Sequence, residues 1–169
     1  GYQYLPIWLA GGCNVMVDHF ETSETLALME REQINFCFMV PTMVNAVVHD
    51  DQAWARDFSA LKCLLVAAAP IQDATTLAAR KLFGDALYQG YGQTEVLPIS
   101  MMNSAQWFAS IEGSNPLRAY GLALPFAEVQ IWDEENNPLP ANEVGEIVAR
   151  SDGMMTAFWN NPEATAERM

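Results

Sequence analysis

The chain has 169 residues, 51% of them hydrophobic and 17% charged, which suits one globular domain with a sizeable core rather than a disordered segment. Its net charge of -13, with only 8 Lys and Arg, excludes extended contact with DNA or RNA, because tracking a phosphate backbone requires clustered cations. The same acidity repels free polyphosphate, so any bound nucleotide must be answered by backbone amides, Mg2+ and segments outside this chain.

In chain order, the short apolar stretch at 14–18 after the Gly11-Gly12 break predicts a buried strand, and 23–32 predicts a helix with Glu24 in its first turn. A second strand is expected at 35–40. Pro41 then starts a helix whose Val44, Val47 and Val48 fall on one face and which ends near Asp50. Residues 61–68 form an apolar run of strand length. Asp73 is expected to cap a helix carrying Ala74, Leu77, Ala78 and Leu82 as one stripe before Gly84 stops it, and 86–89 supplies another strand. Strands alternating with helices of this length imply an α/β fold with a mostly parallel sheet and flanking helices.

After about Ser110 the texture changes to Gly, Pro and Asn turns. Glu128-Val129-Gln130-Ile131-Trp132 alternates with a period of two, 133–140 is turn-rich, and 146–150 is suited to pair with the alternating strand. Asn136 and Asn142 suit left-handed turns. The organisation predicted is an α/β subdomain at 1–112 followed by a small, mainly antiparallel β subdomain at 113–169. Cys13, Cys37 and Cys63 are widely spaced beside apolar sequence and are expected to be reduced, buried thiols. His19 and His49 stand at no metal-ligand spacing and are expected at the surface or in turns. There is no signal-peptide pattern and no apolar run long enough for an integral membrane segment, which predicts a soluble, cytoplasmic protein.

The chemistry concentrates in Gln89-Gly90-Tyr91-Gly92-Gln93-Thr94-Glu95, directly after the apolar Ala86-Leu87-Tyr88. Two glycines let the backbone turn sharply beside a ligand, an aromatic ring covers a flat base, a hydroxyl reaches a phosphate and a carboxylate holds a hard cation. Each residue also has a plainer reading. Tyr91 suits a packed aromatic in a turn, and Thr94-Glu95 equally suits the opening of a helix, Thr as cap and Glu at the positive end.

Tyr91-Gly92-Gln93-Thr94-Glu95 resembles the Y-G-x-T-E signature of the adenylate-forming ligase superfamily, which includes acyl-CoA synthetases, aryl-CoA ligases and adenylation domains. Upstream, Ala67-Ala68-Ala69-Pro70-Ile71 is similar to its G-G-A-P-L segment. Downstream, Gly145-Glu146-Ile147, then Gly153-Met154-Met155-Thr156-Ala157-Phe158, then Pro162-Glu163-Ala164-Thr165-Ala166-Glu167 resemble its G-E-I, G-x-M-x-G-Y and P-E-A-T-A-E segments, in family order. Ala67 and Ala68 stand where glycines are common, and Ala157-Phe158 replaces the usual G-Y pair. The resemblance implies that the second unit is the β-barrel-like part of the large ligase domain.

It also implies roles. Thr94 and Glu95 are the catalytic pair, Thr94 on the α-phosphate of ATP and Glu95 on Mg2+. Ala68, Ala69, Pro70, Gln89, Gly90, Tyr91 and Gly92 are the cofactor-binding set with Thr94: Tyr91 stacks on adenine, Gly90 and Gly92 allow close backbone approach, and Ala68, Ala69 and Pro70 line the adenine or acyl pocket. Val96, Leu97 and Pro98, with Ile99 and Ser100 after them, line the acyl pocket, and Met39 to Thr42 resemble a V-P-T stretch near it. That apolar wall suits an aliphatic or aromatic acid, the preferred reading being a fatty-acyl type of CoA ligase. The implied partners are a small carboxylic acid, ATP/AMP, Mg2+ and coenzyme A, with no nucleic acid. The alternatives are an acyl-AMP ligase or adenylation domain that loads a carrier protein, and a non-catalytic binding module that keeps the fold. The family's phosphate loop, T-G-D segment and Lys-bearing C-terminal domain do not occur in these residues, so the chain is expected to be a central fragment, inactive without the remaining ligase domains of its parent.

Overall fold

The computed structural model describes residues 3–169. After a short helix α1 (Tyr4–Leu9), helix α2 (Thr22–Arg31) opens on Glu21, whose carboxylate accepts from the Glu24 N–H at 2.6 Å and so satisfies one of the free donors of the first turn. Strand β1 (Phe36–Met39) leads into α3 (Pro41–Val48), where Pro41 occupies the first turn at no hydrogen-bond cost and Val44, Val47 and Val48 are buried. Strand β2 (Cys63–Val66) is followed by α4 (Asp73–Phe83), β3 (Leu87–Gln93) and β4 (Val96–Met102).

The main sheet has 5 strands in the order β1-β2-β3-β4-β5, with β5 at Leu122–Ala123. Pairings β1–β2 and β2–β3 are parallel, as helical crossovers require, and β4 and β5 add on antiparallel. The expected α/β architecture is therefore the observed one. Its fifth strand comes from beyond residue 112, so the sheet draws on both sides of the expected subdomain boundary. Leu64, Val66 and Leu87 pack with Val44, Val47, Ala79 and Phe83 into one core beneath α3 and α4.

Three local expectations are corrected. Residues 14–18 form no strand: Val15, Met16 and Val17 are exposed, and among the described residues no neighbouring strand takes up their backbone groups. Asp73 is the first helical residue of α4, and the cap position belongs to Gln72, without a side-chain bond. The buried stripe of α4 is Thr75, Thr76, Ala79 and Phe83, while Ala74 and Leu77 face outward. Threonines take the core face because their hydroxyls find partners there: Thr75 donates to Asn45 Oδ1 of α3 at 3.0 Å and Thr76 to the Gln72 carbonyl at 3.1 Å.

The β-rich part pairs β6 (Ala127–Trp132) antiparallel with β7 (Glu146–Ser151), in register from Ala127↔Ser151 to Trp132↔Glu146. Asn136 and Asn142 adopt φ of 63° and 72°, the left-handed turns expected of them. This unit is a small antiparallel sheet of 2 strands and not a closed barrel, which corrects the barrel-like expectation: a single ladder has two free edges. Helix α5 (Ser104–Trp107), held by a reciprocal cap between Asn103 and Gln106, and helix α6 (Pro162–Arg168) complete the chain. Among the described residues, no helix is long and apolar enough to cross a membrane.

Candidate functional site

Strand β3 runs straight through the glycines. It ends in a tight hairpin in which Gln93 pairs with Val96 and Thr94-Glu95 form the turn, with the register shifting between Tyr91 and Gln93. The expected sharp bend at the glycines and the helix-opening reading of Thr94-Glu95 are both replaced by this hairpin. Neither Gly90 nor Gly92 has a left-handed φ, so what they provide is room. A Cβ on Gly92 would stand 2.8 Å from Leu97 Cδ1 and 3.3 Å from the Val96 carbonyl oxygen, and one on Gly90 would meet Leu65 Cδ1 at 3.2 Å. Glycine thus lets the irregular hairpin close on itself.

Phe38, Leu65 and Gly90 alternate with the core-facing residues of their strands and lie along a cavity of about 1250 Å³. Tyr91, Thr94 and Glu95 all line it, as do Ala68, Gly92, Leu97 and Pro98. Thr94 is exposed and Glu95 half-buried, and among the described residues the Glu95 carboxylate enters no hydrogen bond or salt bridge. On the other side of the hairpin a cavity of about 510 Å³ is bounded by β7 and α6, and Tyr91 and Glu95 line this one too. A ring, an alcohol and an acid therefore meet at one opening.

Other expected site residues lie elsewhere. Gln89, 5% exposed, is buried on the core side of β3 and lines neither cavity; its Oε1 has no hydrogen-bond partner. Ala69 and Pro70 are exposed beyond the cavity lining. Val96 and Ile99 line the smaller cavity, and Ser100 is buried with its hydroxyl donating to the Tyr120 carbonyl. Tyr120 escaped the sequence reading altogether: its ring packs on Tyr91 with centroids 5.1 Å apart and planes at 53°. An aromatic beside Gly121, in a turn-rich stretch, carries no periodic signal that could have singled it out.

Ala68 has φ of 78°, a left-handed conformation in which the β-carbon crowds the following carbonyl. Ala68→Gly is therefore expected to stabilise the protein by about 0.5–1 kcal/mol, read as a higher urea midpoint at unchanged slope. A lower midpoint would show that the strain is absent.

Among the described residues, the larger cavity is lined by no Lys, Arg or His, while Glu32 and Glu95 both reach it. Cys37 lines it as well. Burial, with Cys63 nearby as a second cause, pushes the Cys37 thiol up to about 11, so at neutral pH it is a protonated and unreactive wall. The folded state favours the neutral thiols of Cys37 and Cys63, the latter also raised to about 11 by burial. Their contribution to stability is complete below the ordinary thiol value of 9.0 and is lost as the pH rises through about 11. Cys13 is exposed, against the expectation of a buried thiol. No group of three or more His, Cys, Asp or Glu stands close enough to hold a metal unaided among the described residues.

The sheet and hairpin recur in a solved enzyme structure. The amide bond synthetase McbA from Marinactinospora thermotolerans superposes with a TM-score of 0.82 at 28% identity, covering 90% of this chain and 31% of that one. The chain belongs to the AMP-binding enzyme family, whose pattern matches residues 1–159. A feruloyl-CoA synthase of an Amycolatopsis species is 33% identical over 99% of this chain and 33% of its own length. The 4-coumarate–CoA ligase 1 of Oryza sativa subsp. japonica is 35% identical over 92% of this chain and 28% of its own. The chain thus spans about a third of the relatives it matches.

Proposed function

We propose that this chain is the nucleotide-handling part of an ATP-dependent ligase that joins an apolar carboxylic acid to coenzyme A through an acyl-adenylate. The observation that carries the reading is the convergence of Tyr91, Thr94 and the unpartnered Glu95 on one cavity. The chemical obstacle is a negative carboxylate approaching a negative phosphate, so alignment and charge neutralisation dominate. Tyr91 offers its ring face to adenine, braced by Tyr120, and Thr94 donates its hydroxyl to an α-phosphate oxygen. Glu95 fits Mg2+, because that ion typically takes one or two protein carboxylates and fills its other positions with phosphate oxygens and water. The ion, when bound, supplies the neutralising charge. Ala68 borders the nucleotide, and Leu97 and Pro98 face the acid.

The acid proposed is a phenylpropenoic acid rather than a linear fatty acid, because the relatives at 33% and 35% identity are named for ferulate and 4-coumarate. The apolar wall of Leu97, Pro98, Met39 and Phe38 accepts a ring without supplying a partner for an α-amino group. The working protein is proposed to be cytoplasmic, where free ATP and CoA are available as co-substrates. Residues 1–112 would act as the nucleotide-bearing unit and 113–169 as the β-rich unit resting on it, with the remaining ligase domains supplying the cations this cavity lacks.

The test is to give the full-length protein containing these residues ATP, Mg2+ and, in turn, ferulate, 4-coumarate and a medium-chain fatty acid, with CoA or a carrier protein as acceptor. Pyrophosphate release with the phenylpropenoic acids and an acyl-CoA product is expected. Release with the fatty acid alone would overturn the choice of acid, transfer only to the carrier would overturn the acceptor, and no adenylate with any acid would leave a non-catalytic module. The isolated 169 residues are expected to give no ATP–pyrophosphate exchange, since among the described residues no Lys, Arg or His lines the larger cavity to meet the phosphates.

A further inference from the structure

Three consecutive residues after β7 grip the three that follow Thr94. The Met155 N–H donates to the Glu95 carbonyl at 2.7 Å, Met154 forms an antiparallel bridge with Val96, and Gly153 lies against the Leu97 carbonyl so closely that a β-carbon there would overlap its oxygen. Gly153 has no left-handed φ, so contact distance alone demands glycine at this position. The clamp acts on the backbone of the very turn whose side chains face the cavity, leaving the Glu95 carboxylate free. Held only by its own ladder, a two-residue turn with a register shift beside it would be the loosest point of the hairpin.

We infer that Gly153 is a positioning residue: its missing side chain lets the β6–β7 unit lock the turn that aims Thr94 and Glu95 at the nucleotide. This rests on the proposed nucleotide role of those two residues. In the full-length protein, Gly153→Ala forces the segment off the Leu97 carbonyl and shifts the turn by a fraction of an ångström to an ångström. Adenylate formation, read as ATP–pyrophosphate exchange, is expected to fall about a hundred-fold, the usual effect of such a displacement. Thioester formation from pre-formed acyl-adenylate should be little changed, because the phosphate contact has then been used. Hydrogen exchange at the Met155 amide, which the Glu95 carbonyl of the turn protects, and at the Val96 amide should accelerate.

Gly145→Ala is the matched control. A β-carbon there overlaps the Trp132 carbonyl oxygen at the end of the β6–β7 ladder, and its three nearest neighbours belong to Trp132, Leu139 and Ile131 rather than to the hairpin. It should lower the melting temperature without separating the two half-reactions. Met155→Pro, which removes the donor to the Glu95 carbonyl and adds no bulk at 153, should repeat the selective loss and serves if Gly153→Ala does not fold. Equal loss in both half-reactions, the same pattern in Gly145→Ala, or unaltered exchange at the turn would each reduce Gly153 to a packing role and overturn the inference. Should the wild-type protein form no adenylate, the catalytic reading fails by itself, and amide exchange at the turn still decides whether Gly153 holds it.

Discussion

Glu95→Gln in the full-length protein is expected to slow adenylate formation by about 10²–10³-fold, the scale seen when one preorganised electrostatic contact is removed from a reaction centre. The substitution keeps shape and hydrogen-bonding reach but deletes the charge. Because the Glu95 carboxylate has no protein partner among the described residues and is only half-buried, its loss leaves no orphaned group and the melting temperature should not move. The Mg2+ concentration giving half-maximal rate should rise, since an amide oxygen is a poorer ligand for a hard cation. Exchange of ATP and pyrophosphate at a series of Mg2+ concentrations measures both effects. A variant with wild-type rate and Mg2+ dependence would remove Glu95 from the chemistry, whatever its position in the cavity.

Trp107→Ala should cost about 3–5 kcal/mol, a large share of the roughly 5–15 kcal/mol that holds a domain folded. Trp107 is 0% exposed, its ring lies 5.7 Å from that of Phe108, and its helix is pinned at the start by the reciprocal Asn103–Gln106 cap. Its indole N–H reaches the Leu117 carbonyl only at 3.5 Å, so packing carries most of the effect and Trp107→Phe should cost much less than the alanine variant. Helix α5 follows β4 at Met102, which pairs with Gln89, so it closes the end of the hairpin opposite Thr94 and Glu95. Urea denaturation followed by circular dichroism measures the loss. Equal midpoints for the two variants would point to the hydrogen bond rather than the packed volume.

Much of the architecture was legible where a residue's local conformation and its burial agree. Pro41 starting a helix, Val44, Val47 and Val48 on its inner face, Gly84 ending α4 at φ of 57° and the left-handed Asn136 and Asn142 all follow from constraints carried by those residues. The stripe of α4 was misread because hydrophobicity ranks Leu77 above Thr76, whereas burial depends on whether Asn45 of another helix and the Gln72 carbonyl can satisfy the threonine hydroxyls. The stretch at 14–18 was misread for the complementary reason: β propensity is realised only when a neighbouring strand accepts the ladder.

By itself, the order of residues determined the family-like motif, the parallel α/β core and the presence of a ring, a hydroxyl and a carboxylate within five consecutive positions, 91–95. Only the tertiary structure decided that these lie on a hairpin rather than on a bend or a helix start. It also placed Tyr120 against Tyr91 and set Gly153, 58 positions after Glu95 in sequence, beside Leu97. The reason is range. Propensity, capping and turn chemistry act over a few bonds, whereas the cavity and its clamp arise from contacts between segments far apart in the chain, each of which exists only once the sheet between them has formed.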